Sequence, residues 1–348
     1  MALIPVTILT GFLGSGKTTL LKHILTEQHG KKIAVIENEF GEENIDNDIL
    51  VQSAQEQIVQ MSNGCVCCSI RGDLVEALNQ LWEERKSKKI NFDRVVIETT
   101  GVANPGPVAQ TFFIDDDIAN RYVLDAVVTL VDAKYGQKQL TEHEEVQRQV
   151  GFADRIFITK PDLASKEEIT SLKNRLMHMN PRAPIEMITR GVAPLDAVFD
   201  LKGFNLNAKL DIDPHFLGQH DHDHSECGHD HHDHEHHNHH DHHGHTDRIQ
   251  SFVFKSDKPF DHRKLEDFLG GVISVFAEKL LRYKGVLYVK GSARKVVLQG
   301  VHEMMGSDLA GPWGAGEPKQ SRMVFIGIDL PKDTLLGGLE GCLVKQSS

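Results

Sequence analysis

Residues 11–19, GFLGSGKTT, fit the pattern G-x-x-x-x-G-K-[ST] through Gly11, Gly16, Lys17 and Thr18. An apolar run, PVTILTG, precedes the stretch at 5–11, and a helical pattern follows at 17–29. Glycines let a backbone turn tightly so that its N–H groups surround phosphates, and the start of a helix adds the positive end of its dipole. The flanking elements therefore favour a phosphate loop over a glycine-rich turn that holds no ligand. The predicted nucleotide-binding residues in the stretch are Gly11, Gly14, Ser15, Gly16, Lys17, Thr18 and Thr19.

Apolar strands alternate with helical patterns over about the first 200 residues. Such alternation predicts an α/β fold, a P-loop NTPase with a mainly parallel sheet that is covered on both faces. The predicted strands are 5–11, 31–38, 93–101, 124–133, 153–162 and 183–189, and a second helix is predicted at 72–87.

Two strand ends carry carboxylates that bear on this prediction. VVIETTG at 95–101 places Glu98 at the tip of a buried strand and Gly101 three residues later. Glu98 could act on Mg²⁺ or on the attacking water, and the Gly101 N–H could meet a γ-phosphate; capping of the next turn is the alternative for Glu98. We therefore predict Lys17, which reaches the outer phosphates, Thr18, whose hydroxyl binds Mg²⁺, and Glu98 as the catalytic residues. Asp132 lies at the end of the strand VVTLVDA. An indirect role behind the residues of the site stays open for it, but a solvated strand end is the preferred interpretation.

The sequence ITKPD at 158–162 resembles the guanine-reading pattern N-K-x-D. A carboxylate at Asp162 can accept hydrogen bonds from N1–H and the exocyclic amine of guanine, and adenine has no such pair of donors. The stem of Lys160 can lie along the base. Thr159 replaces the usual Asn, and a simple strand-to-turn junction is the alternative. The position after a strand favours GTP over ATP.

Three of the five cysteines, Cys65, Cys67 and Cys68, lie in NGCVCCS at 63–69. Thiolates bind Zn²⁺ at tetrahedral sites, but a Cys67–Cys68 redox pair or simple packing of the thiols stays open. An acidic loop, ENEFGEENID at 37–46, could supply a further ligand. A metal site is the preferred interpretation.

Residues 211–247 differ from the rest of the chain. Positions 215–245 contain fifteen of the 21 histidines, and the segment carries eight Asp, two Glu and no Lys or Arg. Because so polar a segment cannot form a core, we expect a disordered loop. Its histidines should bind several metal ions with little selectivity. Candidate ligands within it are His222, His224, His229 and His231.

Composition limits the class of protein. The whole chain has a formal charge of −12, of which the His-rich segment supplies −10, so the folded parts are nearly neutral and we expect no nucleic-acid partner. No apolar run approaches the roughly 20 residues that span a bilayer, and the start resembles no signal peptide. We expect a cytoplasmic protein with no membrane partner. The predicted domains are 1–210, the His-rich loop 211–247, and a smaller α+β domain at 248–348.

Several of these stretches occur together in one known family. GFLGSGKTTLL, ENEFGE, NGCVCCS, VVIETTGVANPGP, ADRIFITKPD and LLRYKG resemble the CobW family of P-loop GTPases. The resemblance implies that Gly11–Thr18 bind phosphate and Mg²⁺, that Thr159–Asp162 read guanine, and that Cys65, Cys67 and Cys68 bind a metal. It also implies Glu37 and Glu42 as metal ligands.

The family implies an enzyme that hydrolyses GTP slowly and couples GTP binding and hydrolysis to insertion of zinc into client proteins. Cobalt delivery for cobalamin synthesis and metal buffering are the alternatives, so Co²⁺ or Ni²⁺ could replace Zn²⁺. The client is not identified by the sequence, and a homodimer stays open.

Overall fold

A parallel sheet forms the centre of the first part of the chain. The structure is a computed structural model and describes residues 3–27, 30–37, 58–60, 70–204 and 247–345. The strands of this sheet are β1 (Ile4–Gly11), β2 (Ile33–Glu37), β3 (Ile58–Gln60), β4 (Arg94–Glu98), β5 (Tyr122–Asp132), β6 (Arg155–Thr159) and β7 (Ile185–Ile188). Their order is β3-β2-β4-β1-β5-β6-β7, and the strands run parallel, as the sequence predicts.

Helices cover both faces of this sheet because its strands are apolar on both sides. Ile8 and Val127 belong to one buried cluster, whereas the next residues, Leu9 and Val128, belong to another. Successive strand residues point to opposite faces, so one apolar run supplies both cores. The helices are α1 (Lys17–Thr26), α2 (Ile70–Lys86), α3 (Pro105–Ile114), α4 (Asp116–Ala119), α5 (Gly136–Glu142), α6 (Glu144–Phe152) and α7 (Lys166–Met179).

The last hundred residues form an antiparallel sheet with helices on one face, which confirms the predicted α+β character. Its strands are β8 (Ile249–Ser256), β9 (Leu280–Leu287), β10 (Arg294–Val301), β11 (Met304–Pro312) and β12 (Ser321–Ile328). The strand order is β11-β10-β9-β12-β8. The helices α8 (His262–Phe276) and α9 (Lys332–Gly341) contribute Leu269 and Leu339 to a core shared with Phe252 and Phe325.

The other face of the antiparallel sheet packs on the first part of the chain. Leu281 and Val324 belong to the same buried cluster as Phe152 of α6. Residues 282–284 of β9 are all buried. Arg282 Nη1 lies 2.8 Å from Asp154 Oδ1 and donates to Phe152 O.

Asp247, predicted as the last residue of the His-rich segment, belongs to the folded structure. Its carboxylate accepts hydrogen bonds from Nε and Nη2 of Arg175 on α7. The rest of that segment lies outside the described residues. Within the described part of the chain, no helix combines the length and apolar character that crossing a membrane requires.

The register of the parallel sheet brings three strand ends together. Leu9 of β1 and Glu37 of β2 both have Glu98 of β4 as their Cα partner. The chain leaves each strand at the same edge of the sheet. Ligands of open α/β sheets bind beyond this carboxyl edge, so a candidate site is expected there.

Candidate nucleotide and metal site

The phosphate loop joins β1 to α1 through a backbone that glycine makes possible. Gly16, immediately before α1, has φ 96°. A Cβ on Gly11 would overlap the carbonyl oxygen of Leu130 on β5, so a larger residue would push the loop off the sheet. Gly14 also has a positive φ, 72°. The loop thus has the shape in which N–H groups can face a phosphate.

Lys17 lies under this loop rather than in solvent. Its side chain is buried, and Nζ donates hydrogen bonds to Gly11 O at 3.0 Å and Phe12 O at 3.3 Å. These carbonyls hold the ammonium group beside the glycines that would surround a phosphate. Contact of Lys17 with the outer phosphates stays a prediction.

Thr18 and Glu98 meet although they are 80 residues apart in the chain. Thr18 Oγ1 donates to Glu98 Oε1 at 2.9 Å. A hydroxyl and a carboxylate are the hard oxygen ligands that suit Mg²⁺. Glu98 is 9% exposed, so its charge is screened little by solvent.

The turn after Glu98 closes against the phosphate loop. A Cβ on Gly101 would lie 2.6 Å from Leu13 N, so only glycine allows this approach. Thr99 N donates to Leu9 O at 3.0 Å, and Thr99 Oγ1 donates to Thr10 Oγ1 at 2.8 Å. Gly101 is thus held against the phosphate loop, and contact of its N–H with a phosphate stays a prediction.

The predicted base-reading segment is attached directly to the phosphate loop. Thr159 Oγ1 donates to Ser15 O at 2.8 Å. Lys160, with φ 52°, extends Nζ to Gly14 O at 2.6 Å and to Asp132 Oδ2 at 2.7 Å. Asp162 is exposed in a 3-10 turn, Pro161–Leu163, where a base could approach it.

The solvated position preferred for Asp132 is wrong. Asp132 is 2% exposed, not a solvated strand end. Besides the ion pair with Lys160, Asp132 Oδ1 accepts hydrogen bonds from the N–H groups of Lys134 and Tyr135. The end of β5 therefore fixes Lys160, the lysine predicted to lie along the base. The sequence feature that could have indicated this role is the position of Asp132 at the end of β5, the strand next to β6, which leads into Thr159–Asp162.

The residues present fit a magnesium nucleotide. Ser15 Oγ is buried and has no hydrogen-bond partner within the described residues, as expected of a polar atom that a ligand would satisfy. Thr19 is exposed in the first turn of α1, at the rim of the loop. The loop, the Thr18–Glu98 pair and Thr159–Asp162 thus line one edge of the sheet.

Most of the predicted metal ligands lie outside the described residues. These are Cys65, Cys67, Cys68, Glu42, His222, His224, His229 and His231. Glu37 is described, partly buried at the end of β2, with Glu98 as its register partner. Over the described ranges, no three His, Cys, Asp or Glu side chains form a group that could hold a metal ion.

Fold and site together define a P-loop GTPase with a second, antiparallel-sheet domain. Residues 5–186 match the family model described as CobW/HypB/UreG, nucleotide-binding domain. Residues 249–343 match the model of the cobalamin synthesis protein cobW C-terminal domain. The chain belongs to the CobW/HypB/UreG family, which confirms the resemblance stated above.

Several relatives match along almost the whole chain. Zinc chaperone YjiA of Escherichia coli (strain K12) is 41% identical over 341 residues, covering 97% of this chain and 98% of YjiA. Zinc chaperone CobW of Pseudomonas aeruginosa (strain PAO1) is 33% identical and covers 99% of this chain and 92% of its own length. The crystal structure of Zn(II)-bound YjiA GTPase from E. coli superposes with a TM-score of 0.76 at 36% identity, covering 99% of this chain and 100% of that one.

Proposed function

We propose that this protein is a GTP hydrolase that couples GTP binding and hydrolysis to the insertion of zinc into a client protein. One observation carries the proposal: the phosphate loop, the Thr18–Glu98 pair and the base-reading segment meet at one edge of the sheet, beside Glu37. The relatives named as zinc chaperones support zinc as the cargo.

The residues at this edge divide the work on the nucleotide. The glycine-rich backbone and Lys17 bind the phosphates, and Asp162 accepts hydrogen bonds from guanine. Thr18 and Glu98 would hold Mg²⁺, which neutralises charge on the phosphate oxygens when it is bound. Glu98 also orients the attacking water. Hydrolysis without a partner is slow, as in GTPases that await a supplied arginine.

Strand β2 is the physical link between nucleotide and cargo. Glu37 at its end is implied as a zinc ligand, together with Glu42, Cys65, Cys67 and Cys68, and Glu98 is its register partner on β4. A change at Glu98 on phosphate loss therefore reaches a cargo ligand through one pair of backbone strands. The histidines of 211–247, including His222, His224, His229 and His231, act as a capture segment for the metal.

The experiment that tests this proposal follows zinc release during turnover. Protein loaded with zinc is mixed with GTP and Mg²⁺ in the presence of a chromogenic zinc chelator, and phosphate and zinc release are recorded together. We expect zinc to appear at the rate of GTP hydrolysis, and much more slowly with a non-hydrolysable GTP analogue.

The Lys17→Ala variant separates this function from metal buffering. It keeps every proposed zinc ligand and loses the phosphate contact, so we expect no hydrolysis and no nucleotide-dependent release. Equal zinc release by Lys17→Ala and the wild type would contradict the proposal and favour a buffer. Elemental analysis of the purified protein identifies the bound metal. Cobalt in place of zinc would favour cobalt delivery for cobalamin synthesis.

A further inference from the structure

A buried glutamine on α6 holds the turn that follows Glu98. Gln149 is 0% exposed, and its Nε2 donates hydrogen bonds to Gly101 O and Ala103 O, each at 3.1 Å. Its own main-chain carbonyl accepts a hydrogen bond from Thr129 Oγ1 on β5 at 2.8 Å. One amide group thus fixes two peptide units of the turn and is itself fixed to the central sheet.

The turn is therefore held from two sides. From β1, Leu9 and Thr10 bind Thr99, and from α6, Gln149 binds Gly101 and Ala103. A buried carbonyl that loses its donor costs about 1–3 kcal/mol, so the bonds to Gln149 strongly favour one orientation of these peptides. In that orientation Gly101 is in contact with Leu13 of the phosphate loop.

A second glutamine on the same helix shows what a purely structural role looks like. Gln147 is also buried, and its Nε2 donates to Leu140 O at 2.8 Å. Its Oε1 accepts from the N–H groups of Arg248 and Ile249, where the second domain begins. Residues two apart on a helix face nearly opposite directions, so Gln147 faces the second domain and Gln149 faces the nucleotide turn.

The polar atoms of Gln149 are not all used by the protein. Its Oε1 is buried and, within the described residues, has no hydrogen-bond partner. Burying this acceptor without a partner costs free energy. The two hydrogen bonds from Nε2 to the turn offset that cost.

We propose that Gln149 is a positioning residue for GTP hydrolysis, an inference that rests on the proposed function. It holds residues 99–103 so that the Gly101 N–H meets the γ-phosphate. Because GDP has no γ-phosphate, Gln149 contributes to the affinity for GTP and to the rate of hydrolysis, and little to the affinity for GDP.

The test compares Gln149→Met with Gln147→Met in the full-length protein. Methionine has a similar length and no hydrogen-bond donor, and both changes remove one buried amide from α6. The measurements are the dissociation constants for GDP and for a non-hydrolysable GTP analogue, with kcat and KM for GTP.

For Gln149→Met we expect the affinity for the analogue and kcat to fall by about tenfold, which corresponds to the loss of about one net hydrogen bond to a buried carbonyl. The affinity for GDP should stay within about twofold of the wild type. Gln147→Met should lower the midpoint of thermal unfolding while the ratio of the two affinities stays that of the wild type.

The outcomes separate this inference from the proposed function. A wild-type protein that neither binds nor hydrolyses GTP overturns the proposed function itself. An active wild type together with an unchanged affinity ratio and kcat in Gln149→Met overturns only the role of Gln149.

A second variant, Gln149→Asn, keeps the amide but shortens the side chain by one methylene, which moves the donor away from the turn. It tests the role of Gln149 if Gln149→Met does not fold. A selective loss of affinity for the analogue in Gln149→Asn supports the proposal. If neither variant folds, the role of Gln149 is structural and the proposal is overturned.

Discussion

Thr159 attaches the predicted base-reading segment to the phosphate loop. In the guanine-reading pattern N-K-x-D an asparagine occupies this position, and here a hydroxyl replaces its amide. Thr159 Oγ1 donates to Ser15 O, and Lys160 Nζ donates to Gly14 O. The substitution therefore leaves the base-reading segment attached to the loop, and Asp162 remains the group that would select the base.

Replacing Asp162 tests base selection at this single residue. In Asp162→Asn, the amide NH₂ would face one of the two hydrogen-bond donors of guanine, so that bond is lost. Xanthine has a carbonyl in place of the exocyclic amine of guanine, and this carbonyl can accept from the amide NH₂. We expect the affinity for GTP to fall by about a hundredfold, from the loss of charge-assisted hydrogen bonds, and XTP to be preferred. Competition of GTP and XTP against a fluorescent guanine nucleotide measures both.

The matched control is Glu167→Gln, which neutralises another exposed carboxylate a few residues away in α7. Its nucleotide preference should be that of the wild type. If Asp162→Asn still prefers GTP over XTP, Asp162 does not read the base.

The sequence could predict those site residues whose role depends on neighbours within a few positions of the chain. Lys17 and Thr18 are fixed by the spacing of one loop, so the motif places them. Asp132 and Gln149 act through contacts with residues tens of positions away, Lys160 and Gly101. A buried polar residue gives no sequence pattern of its own, because what makes it favourable is a partner that only the fold supplies.

At the scale of elements, the turn after β4 and the phosphate loop act as one packed unit. In Gly101→Ala the added Cβ would lie 2.6 Å from Leu13 N, so the turn or the loop must move. Displacement of groups that position a reacting phosphate costs at least about tenfold. We therefore expect kcat for GTP hydrolysis to fall by at least this factor in steady-state assays.

Gly270→Ala in α8 is the control for this change, because a Cβ added at Gly270 would meet no atom within 4 Å. It should leave kcat unchanged and stabilise the helix by up to about 1 kcal/mol. Wild-type turnover by Gly101→Ala would show that the contact between turn and loop plays no part in hydrolysis.

The elements most readily predicted were those with buried, apolar runs. The long strand β5 is almost wholly buried, and its sequence is correspondingly apolar. The sequence marks helix α6 less clearly, because two of its buried positions are occupied by polar residues, Gln147 and Gln149. Edge strand β11 is exposed along most of its length, so no apolar alternation marks it.

At the scale of the whole molecule, a buried cluster of charges joins the two domains. The Asp154 carboxylate lies 2.8 Å from Arg282 Nη1 and 4.0 Å from Arg182 Nη2. Burial and the charge of Arg282 lower the pKa of Arg182 from its usual value, whereas Asp154 raises it. Two guanidinium groups thus share one carboxylate at the seam.

Removing Arg282 should weaken this seam. Arg282→Met leaves the buried Asp154 carboxylate with Arg182 at 4.0 Å and a hydrogen bond from the Val127 N–H. Breaking a buried ion pair costs about 3 kcal/mol at the low end of its range. We expect the free energy of unfolding in urea to fall by about this amount.

Lys295→Met is the comparison, since it breaks an ion pair with Glu317 that is partly solvent-exposed and should cost less than about 1 kcal/mol. Equal losses in Arg282→Met and Lys295→Met would mean that the buried cluster does not hold the domains together.

Coupling between nucleotide and zinc is measured by zinc titration of two forms of the protein, one bound to a non-hydrolysable GTP analogue and one bound to GDP. Coupling between two sites is reciprocal. We predict that the dissociation constants for zinc differ by at least about fivefold between the two forms, and that zinc shifts the ratio of the two nucleotide affinities by the same factor. The difference should disappear in Cys67→Ser. Equal zinc dissociation constants in the two nucleotide forms of the wild type would contradict the account.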